Sequence, residues 1–142
     1  SQQPACRTMT TASISEPTMT AAITALRRCE ALSAAYLLGS AARDQLRGDS
    51  DVDVAILVSR GSGLAPDERI VLTAELAAIF GRPVDLGLLS TANVVYAKEA
   101  VVTGRLLFAR HPNVAAEFAM LALSMYASLQ ESRREVLRAY AA

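Results

Sequence analysis

The chain has 142 residues, enough for one domain with a sizeable core, and 52% of them are hydrophobic against 20% charged. That balance belongs to a folded globular chain and excludes a wholly disordered one. Formal net charge is zero, which argues against nucleic acid as the main partner, and the apolar runs fall short of the roughly 18–20 residues of a membrane span.

Residues 1–18 are rich in Ser, Thr, Gln and Pro and have no apolar h-region. They read as a disordered leader or an expression remnant, not a signal peptide, leaving 19–142 as the domain. Cys6 falls in this tail and Cys29 on a predicted helix. Two such cysteines make no disulfide framework, and a reducing cytoplasm fits.

An amphipathic helix is predicted over Thr20 to Ser33, with Ile23, Leu26 and Leu32 as its apolar set. Ala34 to Leu38 reads as the first strand. Ala41 to Leu46 reads as a short helix stopped by Gly48. Ser50 to Val58 is the second strand, and Ser59 to Gly63 a flexible loop. Pro66 opens a helix running to about Phe80 and ended by Gly81. Pro83 to Leu89 is the third strand. Ala92 to Thr103 is a helix ended by Gly104, followed by a short apolar segment over Arg105 to Ala109 that reads as an edge strand. Asn113 is a good N-cap for a last helix reaching about Tyr140. Strands alternating with helices predict an α/β or α+β fold, a small mixed sheet flanked by helices.

The chemistry concentrates between Leu37 and Leu57. Gly39-Ser40 closes the first strand, and ten residues later comes Asp51-Val52-Asp53. On a strand, Asp51 and Asp53 point to the same face, with Val52, Val54, Ile56 and Val58 on the other. Two adjacent carboxylates repel, and a divalent cation removes the conflict; magnesium prefers such oxygen ligands. Gly39 lets the backbone approach a bulky anion, and Ser40 is placed to cap the next helix with its amides facing a phosphate. A phosphate cradle facing a metal site describes a nucleoside triphosphate held with Mg2+. Against this stands plain turn chemistry, since Asp-Ser-Asp before a strand is a common turn.

Gly39-Ser40, ten residues, and Asp51-x-Asp53 together resemble the signature of the polymerase-beta-like nucleotidyltransferases. The resemblance extends to the minimal nucleotidyltransferases of the MntA-type antitoxins, and covers most of the chain from about Ala21, including Arg43 and Ser50. The chain departs from the pattern where many relatives read Gly-Ser-Arg-Ala-Arg-Gly: here Ala41 stands for a basic residue and Asp44 for glycine. The resemblance implies that Asp51, Asp53 and Asp85 are the catalytic and metal-binding carboxylates. Asp85 is otherwise a lone acid in an apolar strand, costly to bury unpaired, or a plain surface aspartate at a strand end. It also implies Gly39, Ser40 and Arg43 at the nucleotide, ATP as substrate and Mg2+ as cofactor. The implied partner is a HepT-type toxin, an RNase of the HEPN fold, neutralised by transfer of AMP to a tyrosine. A small-molecule, antibiotic-like nucleotidyltransferase and a non-catalytic antitoxin that only caps its partner stay open as alternatives.

Other candidates are weaker. Ser40 has no histidine or lysine in the motif to activate it as a nucleophile. Arg47 reads as a solvated face and Asp49 as a turn residue. His111, the only histidine, has no Cys or His neighbour in the sequence to form a zinc site. In the last helix, most of Phe118, Met120, Leu121, Leu123, Met125, Tyr126, Leu129, Val136, Leu137 and Tyr140 are expected in the core. Its charged end, Glu131, Arg133, Arg134, Glu135 and Arg138, has the pattern of a partner-docking helix.

Overall fold

In a computed structural model, residues 11–141 are described. Among them, β1 (Thr11–Ala12), α1 (Glu16–Arg28), β2 (Leu32–Leu38), α2 (Gly39–Ala42), β3 (Leu46–Arg47) and β4 (Val52–Val58) come first. Then follow α3 (Pro66–Phe80), β5 (Val84–Leu88), α4 (Val94–Thr103), β6 (Arg105–Ala109) and α5 (Pro112–Ala141). Four strands form one sheet in the order β5-β4-β2-β6. β2 is antiparallel to both β4 and β6, while β4 and β5 run parallel, so the sheet is mixed. β1 and β3 make a separate small ladder.

Both faces of the sheet are covered. Ala35 and Leu37 of β2, with Val52, Val54 and Ile56 of β4, join Leu26, Leu72 and Leu76 of α1 and α3 in one cluster. Ala34, Tyr36 and Leu38, with Ala55, join Ala100 and Ala115 of α4 and α5 in the other. All seven residues of β2 are buried, which is why Leu-Ser-Ala-Ala-Tyr-Leu-Leu reads as a continuous run without a polar face. Its one polar side chain, Ser33, shares a hydrogen bond of 2.8 Å with the Ser59 hydroxyl.

Local chemistry sets most boundaries. Ser15 caps α1, its hydroxyl accepting from the Thr18 amide, and Pro17 lies in the first turn. Glu68 accepts from the Ala65 amide at the start of α3, and Gly81 ends that helix in the left-handed conformation, φ 72°. Asn93 caps α4 by accepting from the Tyr96 amide. The Arg110 side chain donates to the carbonyls of Leu32 (2.9 Å), Arg27 (3.0 Å) and Cys29 (3.0 Å), neutralising the C-terminal end of α1. The guanidinium groups of Arg27 and Arg110 both lie against the Phe108 ring, 5.2 and 5.6 Å from its centre.

Several expectations need correction. The first helix stops at Arg28, because Leu32 and Ser33 are taken by β2, whose pairing with β4 and β6 outweighs the helical period. The helix expected over Ala41 to Leu46 ends at Ala42, and Leu46–Arg47 is a strand. Of the proposed leader, 1–10 lies outside the described residues, as does Cys6; residues 11–18 hold β1, the Ser15 cap and the first turn of α1. In α5, Ala115 and Ala122 are buried, but Met120, Leu121, Leu123, Met125, Val136, Leu137 and Tyr140 are exposed. Only one stripe of α5 meets α4 and the sheet. No helix among the described residues is long and apolar enough to cross a membrane.

Candidate active site

β2 and β4 are adjacent antiparallel strands, so the end of one meets the start of the other. Leu38 pairs with Asp53, which places Gly39 beside that carboxylate. Gly39 has φ 65°, and a side-chain carbon there would come 3.2 Å from Asp53 Oδ2. Glycine is favoured on both counts: a left-handed backbone and a close approach. The expected turn from strand into short helix is therefore present, with one change. The helix begins at Gly39 itself, so Ser40 sits in its first turn and does not cap it. The Ser40 carbonyl accepts from the amides of Arg43 and Gln45, folding the next residues back over the turn.

On its other side β4 runs parallel to β5, and Asp53 is in direct register with Asp85. Neighbouring strands lie about 4.8 Å apart, so these two carboxylates leave the same end of the sheet side by side. Asp51 stands just before β4, exposed, and Asp53 is half-buried. Burial pushes the Asp53 carboxyl above its usual range, and the charges of Asp85 and Asp51 push it further. Asp85 and Asp51 thus both act on Asp53, and Gly39 abuts that carboxylate. No three ligand side chains among the described residues close around a common point tightly enough to hold an ion unaided. The donor set is nevertheless all oxygen and anionic, the chemistry of a Mg2+ site that takes one or two carboxylates and completes itself with water and substrate phosphate.

The two departures from the family pattern have structural meaning. Asp44 adopts φ 56°, the left-handed region that favours glycine. Aspartate tolerates that region better than most residues. Ala41 is 2% exposed and packs in the core, so no charge for a phosphate is supplied from there. Arg43 and Arg47 are both exposed.

Three side chains that sequence reasoning passed over belong to the surroundings of the site. Arg82 donates to the carbonyls of Arg47 and Ser50, pinning the segment that leads into Asp51. The Val52 amide donates to the Pro83 carbonyl, 2.9 Å, beside it. Arg69 of α3 donates to the Leu86 carbonyl on β5. Tyr96 of α4 lies over Gly87: a side-chain carbon at Gly87 would meet the Tyr96 hydroxyl at 2.1 Å. Burial raises the Tyr96 phenol above its usual value; Asp85 and then Asp53 add to the rise and Arg69 opposes it. Gly87 itself signals a close approach, being a glycine inside a strand, but only the fold shows that Tyr96 makes it.

Comparison with known proteins agrees with this geometry. The family model described as polymerase beta, nucleotidyltransferase matches residues 21–113. Among solved structures, the chain is similar to a toxin–antitoxin complex of MntA and its partner carrying two aspartate-to-glutamate substitutions two positions apart. The TM-score is 0.72 and the identity 27%, over 87% of this chain and 98% of that one. A toxin–antitoxin structure with AMP-PNP matches with TM-score 0.71 and 29% identity, over 87% and 98% of the two chains. A complex of a tri-AMPylated Shewanella oneidensis HEPN toxin with an MNT antitoxin matches with TM-score 0.67 and 27% identity, over 89% and 98%. A comparison with curated protein sequences found no match. The chain belongs to the polymerase beta nucleotidyltransferase family, with the architecture of the MntA antitoxins.

Proposed function

We propose that this protein is an antitoxin that transfers AMP from ATP to a tyrosine hydroxyl of a HepT-type HEPN toxin in the cytoplasm. The observation that carries the reading is the register of Asp53 and Asp85 on adjacent strands, with Gly39 against Asp53 and Asp51 two residues before it. A complex of a similar chain with a tri-AMPylated HEPN toxin, and a similar toxin–antitoxin structure holding an ATP analogue, support it.

In this mechanism the tyrosine oxygen attacks the α-phosphorus in line with the bond to the β-phosphate. The new P–O bond forms as the bond to the bridging oxygen breaks, and pyrophosphate leaves. Asp85 accepts the phenolic proton or orients the phenol for attack. The Gly39 and Ser40 amides and the Ser40 hydroxyl hold the pyrophosphate end, with Arg43 placed to add charge from outside. α2 has only four residues, so these local donors matter more than its dipole. Asp51, Asp53 and Asp85 are the residues that would hold Mg2+, which when bound neutralises the phosphate charge.

The test is intact mass of the partner toxin after incubation with this protein, ATP and Mg2+, beside an Asp51→Asn/Asp53→Asn control. A gain of one or more AMP units, absent in the control, is expected. A silenced toxin of unchanged mass would point to the non-catalytic antitoxin. Neither silencing nor a mass gain would favour a small-molecule acceptor.

A further inference from the structure

β5 is an edge strand: β4 is its only neighbour in the sheet among the described residues. It nevertheless carries Asp85, whose distance from Asp53 the reaction requires to be constant. A parallel pair held on one side is free to fray unless something else fixes it. Two side chains meet the strand immediately after Asp85, and they come from opposite faces of the sheet. Arg69, on α3, reaches the Leu86 carbonyl with a charge-assisted hydrogen bond. Tyr96, on α4, lies with its hydroxyl directly over the Gly87 backbone. Gly87 shares a sheet face with Asp85, so the phenol is the next group along that face.

We propose that Arg69 and Tyr96 clamp edge strand β5 from both sides and thereby fix the Asp85 carboxylate against Asp53. Both are positioning residues. The inference rests on reading Asp85 as a working carboxylate of the transfer site. Electrostatic influence runs between the parts: Asp85, Asp53 and Arg69 all act on the Tyr96 phenol. Glycine at 87 is then a requirement of the clamp, because any side chain there displaces the hydroxyl.

The experiment uses the full chain and the variants Tyr96→Phe, Arg69→Met, Arg69→Lys and Gly87→Ala, each also in an Asp85→Asn background. Three readouts are taken. Tyr96→Phe and Arg69→Met are expected to speed hydrogen exchange at the Leu86 to Leu88 amides. They are expected to weaken Mn2+ binding in the presence of AMP-PNP several-fold, followed by electron paramagnetic resonance. They are expected to lower kcat for AMP transfer to the HepT-type toxin about ten- to a hundred-fold with KM for ATP nearly unchanged, the size expected of a small misplacement. Arg69→Lys restores part of each loss, and Gly87→Ala reproduces Tyr96→Phe. In the Asp85→Asn background the clamp variants have no further effect on kcat or Mn2+ binding, which a merely structural role would not produce. The clamp is overturned by unchanged exchange and metal binding, or by equal losses with and without Asp85. It is overturned as well by a wild-type chain that binds no Mn2+ with AMP-PNP. A wild-type chain that binds both and transfers nothing to the toxin removes the proposed function while leaving the clamp to be judged on the first two readouts.

Discussion

Asp53 holds the electrostatic conflict of the site. It is half-buried, with Asp85 in register and Asp51 two residues away, and burial followed by those two charges raises its carboxyl. A site prepared for cations is strained without them. Asp53→Asn is therefore expected to raise the thermal midpoint of the nucleotide-free protein while abolishing transfer. Because the folded-state value lies above the unfolded one, the stability linked to protonation is complete below the unfolded value and is lost as pH rises through the folded one. The advantage of asparagine is thus largest near neutral pH and shrinks in acid. Calorimetry at several pH values checks this, and an asparagine variant less stable than its parent at pH 7 would contradict it. At Asp44 the backbone decides: φ is 56°. Asp44→Gly is expected to hold or raise stability, whereas Asp44→Val costs about 1–2 kcal/mol in denaturant melts. A valine variant as stable as the parent would show that the left-handed turn is not maintained in solution.

At the scale of elements, side chains reaching backbone carbonyls hold the pieces together. Arg110, just after β6, ties the chain to the end of α1 through the Arg27 and Cys29 carbonyls and to β2 through the Leu32 carbonyl, and lies against Phe108. Arg110→Ala is expected to cost about 2 kcal/mol in urea unfolding, since two part-buried carbonyls and one exposed carbonyl lose a charged donor at once. A cost below half a kcal/mol would mean that water replaces the guanidinium freely. Arg82 performs a similar function for the segment from Arg47 to Ser50, which carries the chain from the glycine turn to Asp51. Arg82→Ala is expected to lower nucleotide affinity more than stability, read by AMP-PNP titration beside a thermal melt. The reverse ranking would make Arg82 a fold residue only.

For the molecule as a whole, the sheet separates two helix layers of different reach. α1 and α3 stay within the domain, while α5 has 30 residues, about 45 Å, and everything from Glu131 to Ala141 is exposed. Removing residues 131–142 is expected to leave the unfolding midpoint of the domain almost unchanged, because no core contact is lost. A large drop in a chemical melt would place that end of the helix inside the cooperative unit. Val136, Leu137 and Tyr140 lie on this end and are exposed among the described residues.

The amino-acid sequence by itself determined the local devices. Gly39-Ser40, Asp51-x-Asp53 and the lone Asp85 were legible because each is a polar or flexible residue in a run whose period is otherwise apolar. α3 and its Gly81 stop were legible because proline, helical spacing and a left-handed cap are properties of neighbouring residues. What lay far apart in the chain was decided only by the tertiary structure. Leu32 and Ser33 fit a helix by spacing, yet pairing with β4 and β6 drew them into a strand. Nothing local announced that Asp53 and Asp85, with a loop and α3 between them, would lie in register. Tyr96 and Arg69 were invisible as site residues for the same reason: their partners, Gly87 and the Leu86 carbonyl, are brought to them by the sheet edge. The apolar residues of α5 were misplaced into the core because periodicity tells which face of a helix is apolar, not how much of that face the rest of the fold is large enough to cover.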